Sequence, residues 1–157
     1  MTKENQLTFN RFVSMISRCG QIYFDRELAH LNIGSGQIRI LRALDLSDGV
    51  NQEHIRLIFH LDKGTVAKSI KPLIREGYIR REKNLDDKRA YRIFLTDKGR
   101  EIMPMLKQTV QNWAEVLTSG FTTREKEAAN DLLSRMSQNA RDHISSRTSN
   151  RPGESSK

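Results

Sequence analysis

The 157-residue sequence contains one cysteine, three prolines and one tryptophan, and only 6% of its residues are aromatic. A single thiol, Cys19, excludes an intrachain disulfide and a zinc site built from several cysteines, and it suits a reducing compartment. No apolar run approaches about 18 residues, and no charged-then-apolar leader is present, so neither a membrane span nor a secretory signal is expected. The expected location is cytoplasmic. His30, His54, His60 and His143 have no mutual spacing of three or four, which leaves no helical two-histidine metal site. Without a glycine-rich phosphate loop, an H-E-x-x-H motif or a Ser-His-Asp order, neither catalysis nor a cofactor is expected.

Charge is what the chain has in quantity. The formal net charge is +8, which favours a polyanionic partner. Residues 51–100 hold 13 Lys/Arg against 7 Asp/Glu, so most of the excess lies in that third of the chain. Apolar residues make up 36% and charged residues 29%, a balance that suits long amphipathic helices sharing an apolar face with a partner.

Apolar periodicity predicts a helix over 7–31 through Phe9, Phe12, Val13, Ile16, Tyr23 and Leu31, with Gly20 inside it and a break at 32–36. Cys19 on this helix is expected to be buried and inert. A second helix is predicted over about 37–46, with Ile38, Leu41, Leu44 and Leu46 inward. Asn51 is placed to cap a short third helix whose inner face is Ile55, Ile58 and Phe59. Asp62 caps a fourth, 63–76, ended by Gly77, with Val66, Ile70, Leu73 and Ile74 as its inner stripe. Residues 78–83 and 91–95 read as two strands of a hairpin with a long basic tip. Thr96 opens a helix to about Ser119, with Ile102, Leu106, Val110, Trp113 and Leu117 in rhythm and a kink expected at Pro104. Thr122 opens a last helix to about Ile144, with Leu132, Leu133, Met136 and Ala140 inward, and residues 145–157 read as a disordered tail.

The fold expected from this order is mainly α with a small β-hairpin wing: a winged helix-turn-helix between N- and C-terminal dimerisation helices. The third and fourth helices form the helix-turn-helix pair, and the fourth presents charge to solvent. In a DNA major groove, Thr65 is placed to meet a thymine methyl or a base edge, and Lys68 or Lys71 to donate to guanine. Lys63 and Arg75, near the helix ends, suit phosphates. Lys88 and Arg89 at the hairpin tip suit the adjacent minor groove, whose negative potential attracts arginine. One helix and wing cover few base pairs, so a homodimer reading two half-sites is expected.

LNIGSGQIRILRAL (31–44), DKGTVAKSIKPLIREGYI (62–79), DDKRA (86–90) and LTDKGRE (95–101), in that order, resemble the helix before the reading head, the recognition helix, the wing tip and the following helix start of the MarR family of bacterial transcriptional regulators. The resemblance covers about 7–144: a winged-helix lobe at 37–100 and dimerisation helices at 7–31 and 101–144. It implies an obligate homodimer on pseudo-palindromic double-stranded DNA, repression in many members, and release by small phenolic or other anionic effectors in some. It also implies that Asp87 pairs with Arg89 to shape the wing. Gly64 and Ala67 stand where the family often has serine and threonine, and Pro72 is unusual, so the operator is not transferable from a relative. Tyr23, Trp113 and the arginines of the first helix are candidates for an effector cleft. Two alternatives stay open at this point, a low-specificity DNA-binding protein and a winged-helix protein-interaction module.

Overall fold

The computed structural model describes residues 3–59, 62–83 and 91–148. They belong to two compact units, residues 1–114 and 115–157. The first opens with α1 (Lys3–Glu27), which runs unbroken through Gly20. A Cβ at Gly20 would lie 3.2 Å from the Trp113 indole nitrogen, so glycine is what lets that ring lie against the helix. The helix expected to reach residue 31 stops at Glu27. Leu28 is buried, and Ala29–Leu31 form a 3-10 turn that ends at Asn32 in the left-handed region (φ 55°).

Next comes α2 (Ser35–Leu46), which begins two residues before the expected Gln37. Its first N–H is satisfied from outside the local sequence: the Ser35 N–H donates to Asp25 Oδ1 of α1 at 2.7 Å. The Gly34 N–H donates to Gln37 Oε1 at 3.0 Å. Ile38, Ile40, Leu41, Ala43 and Leu44 are buried, whereas Leu46, expected inward, is 87% exposed because the chain turns away at Ser47.

A strand that local pattern did not reveal follows. β1 (Val50–Asn51) pairs with β3 (Tyr91–Leu95), which also pairs with β2 (Ile79–Lys83), giving a three-stranded antiparallel sheet of order β1-β3-β2 rather than an isolated hairpin. Asn51 caps α3 (Gln52–Phe59) as expected, accepting the His54 N–H at 2.7 Å. Only Ile55 of that helix is buried, and Ile58 lies outside the inner face. α4 (Lys63–Arg75) has Asp62 as N-cap and passes through Pro72. Its end is a Schellman motif, with the Gly77 N–H on the Ile74 carbonyl and the Tyr78 N–H on the Leu73 carbonyl. Gly77 sits at φ 77°, a backbone conformation that glycine takes without strain. Ile74, expected inward, is 40% exposed, since the buried stripe is Val66, Ser69, Ile70 and Leu73.

β2 (Ile79–Lys83) and β3 (Tyr91–Leu95) pair from Ile79 opposite Leu95 to Lys83 opposite Tyr91. Residues 84–90, which include Asp87, Lys88 and Arg89, lie outside the described residues. Thr96 caps α5 (Asp97–Glu101), accepting the Gly99 N–H at 3.0 Å. The long helix expected from Thr96 is in fact two. α5 ends at Ile102, and α6 (Met103–Leu117) starts anew with Pro104 in its first turn, where a missing N–H leaves no bond unmade. The core draws Leu28, Ile40, Leu41, Ile55, Leu73, Ile93 and Leu106, among others, from the turn after α1, from α2, α3, α4 and α6, and from the sheet.

In the second unit, Gly120 turns the chain at φ 80°. Thr122 and Glu125 then form a reciprocal capping box, with N–H···O distances of 2.7 and 3.3 Å. α7 (Thr123–Thr148) continues past the expected Ile144, so the first four residues of the expected tail are helical. Residues 149–157 lie outside the described residues. Leu132, Leu133, Met136 and Ile144 are exposed on the single chain, as are Phe9, Phe12, Val13 and Ile16 of α1. Cys19 is exposed, not buried, because the part of α1 that packs inward is the side carrying Gly20, Tyr23 and Phe24. Among the described residues no helix is long and apolar enough to cross a membrane.

Among the described glycines Gly99 has the least room: a Cβ there would fall 2.1 Å from the Tyr78 carbonyl oxygen. Gly99→Ala is expected to lower unfolding stability by about 2 kcal/mol through overpacking, measured as a reduced urea midpoint at unchanged slope.

Candidate nucleic-acid interface

The candidate interface centres on α4. The four-residue rhythm that buries Val66, Ile70 and Leu73 leaves Lys63, Thr65, Lys68, Lys71 and Arg75 exposed. Asp62 starts the helix by accepting the Thr65 N–H at 2.9 Å and the Thr65 hydroxyl. Those bonds, with the side-chain one foremost, hold its carboxyl below the usual carboxylate range. The Thr65 hydroxyl proton is thus engaged in capping, and its methyl and oxygen lone pairs are what it presents outward. Arg75 is not free either. Its Nε meets Glu76 Oε1 at 3.0 Å, and Glu76 Oε2 accepts from Asn32 Nδ2 at 3.2 Å. Arg75 first and Asn32 second depress the Glu76 carboxyl.

The strands carry more cations than the tip residues singled out from sequence. Arg81 lies 3.8 Å above the Tyr91 ring, while Arg80 and Arg92 flank Phe94 at 4.7 and 5.6 Å, distances at which guanidinium and ring attract. Arg92 Nε also donates to the Gly49 carbonyl at 2.7 Å. Arg80, Arg81, Lys83 and Arg92 were legible only as part of the regional charge excess. Their alternation along paired strands is what separates Arg80 and Arg92 on one face from Arg81 on the other.

Asp48 fastens the root of this wing. Its Oδ1 accepts the Leu95 N–H of β3 at 2.9 Å and the Gly49 N–H at 3.1 Å, and its Oδ2 meets the Arg100 guanidinium of α5. On the other side of the lobe, α1, α2 and α6 enclose a cleft of about 260 Å³. Ile16, Gly20, Phe24 and Trp113 form its apolar side, and Arg39 and Arg42 of α2 its basic side. Tyr23 does not line the cleft; it stacks on Trp113 at 5.1 Å and 27°. The cleft's arginines come from α2, not from α1 as expected. Among the described residues no group of His, Cys, Asp and Glu is gathered to hold a metal.

Comparison with known proteins gives this architecture a lineage. Residues 33–91, from the start of the reading lobe through the wing tip, match the MarR family. The chain is 31% identical over 129 residues to the uncharacterized HTH-type transcriptional regulator YybA of Bacillus subtilis, spanning 82% of this chain and 86% of that one. The chain belongs to the MarR family. Solved MarR structures superpose closely: a MarR transcriptional regulator from Methanosarcina mazei Go1 has a TM-score of 0.81 at 37% identity, covering 85% of this chain and 96% of that one. A putative MarR family regulator from Listeria monocytogenes, crystallised with a 26mer DNA, has a TM-score of 0.80 at 25% identity over 92% and 97% of the two chains.

A MarR-family protein is a DNA-binding transcriptional regulator and not an enzyme, and the winged helix-turn-helix described above is the fold of the family. What the family assignment adds for Asp48 is a reason to want a rigid wing root. Burial pushes its pKa up, but the Leu95 N–H, the Arg100 guanidinium and the Gly49 N–H together outweigh burial and hold it below the ordinary value. A depressed folded pKa means that the stabilisation is complete above the unfolded carboxylate pKa and is lost as pH falls through the folded one. Asp48→Asn is therefore expected to cost about 2 kcal/mol at neutral pH. The gap to wild type should stay flat above about pH 5 and close below about pH 4, as read from urea titrations across pH.

Proposed function

We propose that this MarR-family chain is a homodimeric repressor that binds a pseudo-palindromic operator and lets go on binding a small phenolic or other anionic effector. The observation that carries the reading is the outward face of α4. Lys63, Lys68 and Lys71 share an exposed surface with the Thr65 methyl, backed by a fully buried stripe. A rigid helix with cations on its free side is the shape and charge that a major groove accepts. In this reading Lys68 and Lys71 meet guanine edges, Lys63 and Arg75 meet phosphates, and Lys88 and Arg89 at the wing tip meet the adjacent minor groove, with Asp87 holding the turn.

The dimer is supported by unpartnered apolar surface. Phe12 is 56% exposed and Leu133 59%, and each stands in a stripe of exposed Phe, Val, Ile, Leu or Met on a long helix. Stripes of that length are what obligate partners cover. Effector control is supported by the α1–α2–α6 cleft, where an aromatic wall faces two arginines that stand in no ion pair among the described residues. That pairing suits an aromatic ring bearing an anionic group.

Selection of the purified protein on randomised duplexes at about 0.15 M salt is expected to enrich a palindrome whose half-sites lie about one helical turn apart. Binding without an enriched motif would leave a non-specific DNA-binding protein in its place. Arg89→Ala is expected to weaken binding to the enriched site by about 1–3 kcal/mol with an unchanged melting temperature. Near-wild-type affinity in that variant would remove the wing from the interface.

A further inference from the structure

A second groove lies on the reading lobe, between α2, the turn at Ser47 and α3, with a volume of about 280 Å³. Leu46, Val50, Ile58 and Phe59 form its apolar walls, and Arg39, Arg42 and His54 stand at its rim. Two of the walls are exposed aliphatic side chains, Leu46 at 87% and Ile58 at 47%. Both sit on elements that the stripes of α1, α6 and α7 do not involve. Among the described residues no carboxylate lines the groove, and neither arginine stands in an ion pair. Largely aliphatic walls with guanidinium groups among the lining residues complement a short hydrocarbon carrying a single negative charge.

We propose that this groove is a binding site for a medium-chain carboxylate, separate from the α1–α2–α6 cleft. The chain would lie along Leu46, Val50, Ile58 and Phe59, and the carboxylate would meet Arg39 or Arg42 in the forked geometry that guanidinium offers. The volume falls just short of that of drug-sized sites, which fits an alkyl chain better than a nucleotide or a multi-ring cofactor. Because Arg39 and Arg42 border both cavities, the two sites are told apart by residues that line only one of them.

The test is calorimetric titration of the full-length chain with the straight-chain carboxylates from hexanoate to decanoate, below their micellar concentrations. Saturable binding is expected, with affinity rising about fourfold per added methylene and decanol at least about tenfold weaker than decanoate. Leu46→Asp and Ile58→Asp, both at exposed positions, should each weaken decanoate at least about tenfold while keeping the wild-type melting temperature. Gln21→Phe, a neutral change on the α1–α2–α6 cleft at a residue that does not line this groove, should leave decanoate binding unchanged, and Trp113 emission should not respond to decanoate. Absence of saturable binding, a flat series, or decanol binding as tightly as decanoate would overturn the proposal. So would a loss in Gln21→Phe matching that in Leu46→Asp, because it would place the carboxylate in the other cleft.

Discussion

The reading helix can only be aimed if its far end is held, and in this chain several of the ties to that end meet at Tyr78. Its N–H closes α4 on the Leu73 carbonyl, and its carbonyl accepts the Thr96 N–H at 3.1 Å. Its hydroxyl reaches back to the Leu31 carbonyl at 3.2 Å, and Lys98 sits 4.6 Å over its ring. Burial of the phenol pushes its pKa up, so the hydroxyl stays a donor. The same carbonyl presses on Gly99, where no side chain would fit. One residue thereby links the recognition helix, the first strand of the wing, the turn after α1 and the helix that follows the sheet. This joint fixes the end of α4 to the start of β2.

The wing root adds a second constraint of a different kind. Where Tyr78 works by packing and backbone bonds, Asp48 works by charge, drawing β3, the turn before β1 and α5 onto one carboxylate. Between them lies a sheet whose outward arginines are stacked on aromatic rings. The basicity of this lobe is therefore ordered rather than diffuse, with guanidinium groups held in fixed positions on both faces of the strands.

Much of this was readable from residues close together in the chain. α4 and its two ends were legible because Asp62, the Val66–Leu73 stripe and Gly77 are all local signals, and the caps at Asn51, Thr96 and Thr122 were legible for the same reason. β1 was not, since two residues carry no periodicity and their strand character comes only from pairing with Ile93 and Arg92. The start of α2 is not legible locally because the carboxylate that accepts its first N–H is Asp25, ten residues away on another helix. Leu46, Ile58 and Ile74 were assigned inward because a stripe gives a direction but not a width; packing against neighbouring elements decides where the stripe ends. Arg39 and Arg42 were not singled out at all. On a helix read alone they are ordinary solvent-facing arginines, and only the neighbouring walls of α1, α3 and α6 turn them into linings.

The Arg75–Glu76 pair has a bearing on ionic strength. A free surface lysine meeting a phosphate lets a condensed counterion escape to bulk solution, and that escape is what makes protein–DNA association fall steeply with salt. Arg75 is already matched to a carboxylate that Asn32 holds in place. A phosphate that captured Arg75 would trade one fixed anion for another and leave Glu76 uncompensated beside the nucleic acid. In the binding mode proposed above, the contribution of Arg75 to the salt slope would thus be partly cancelled within the protein.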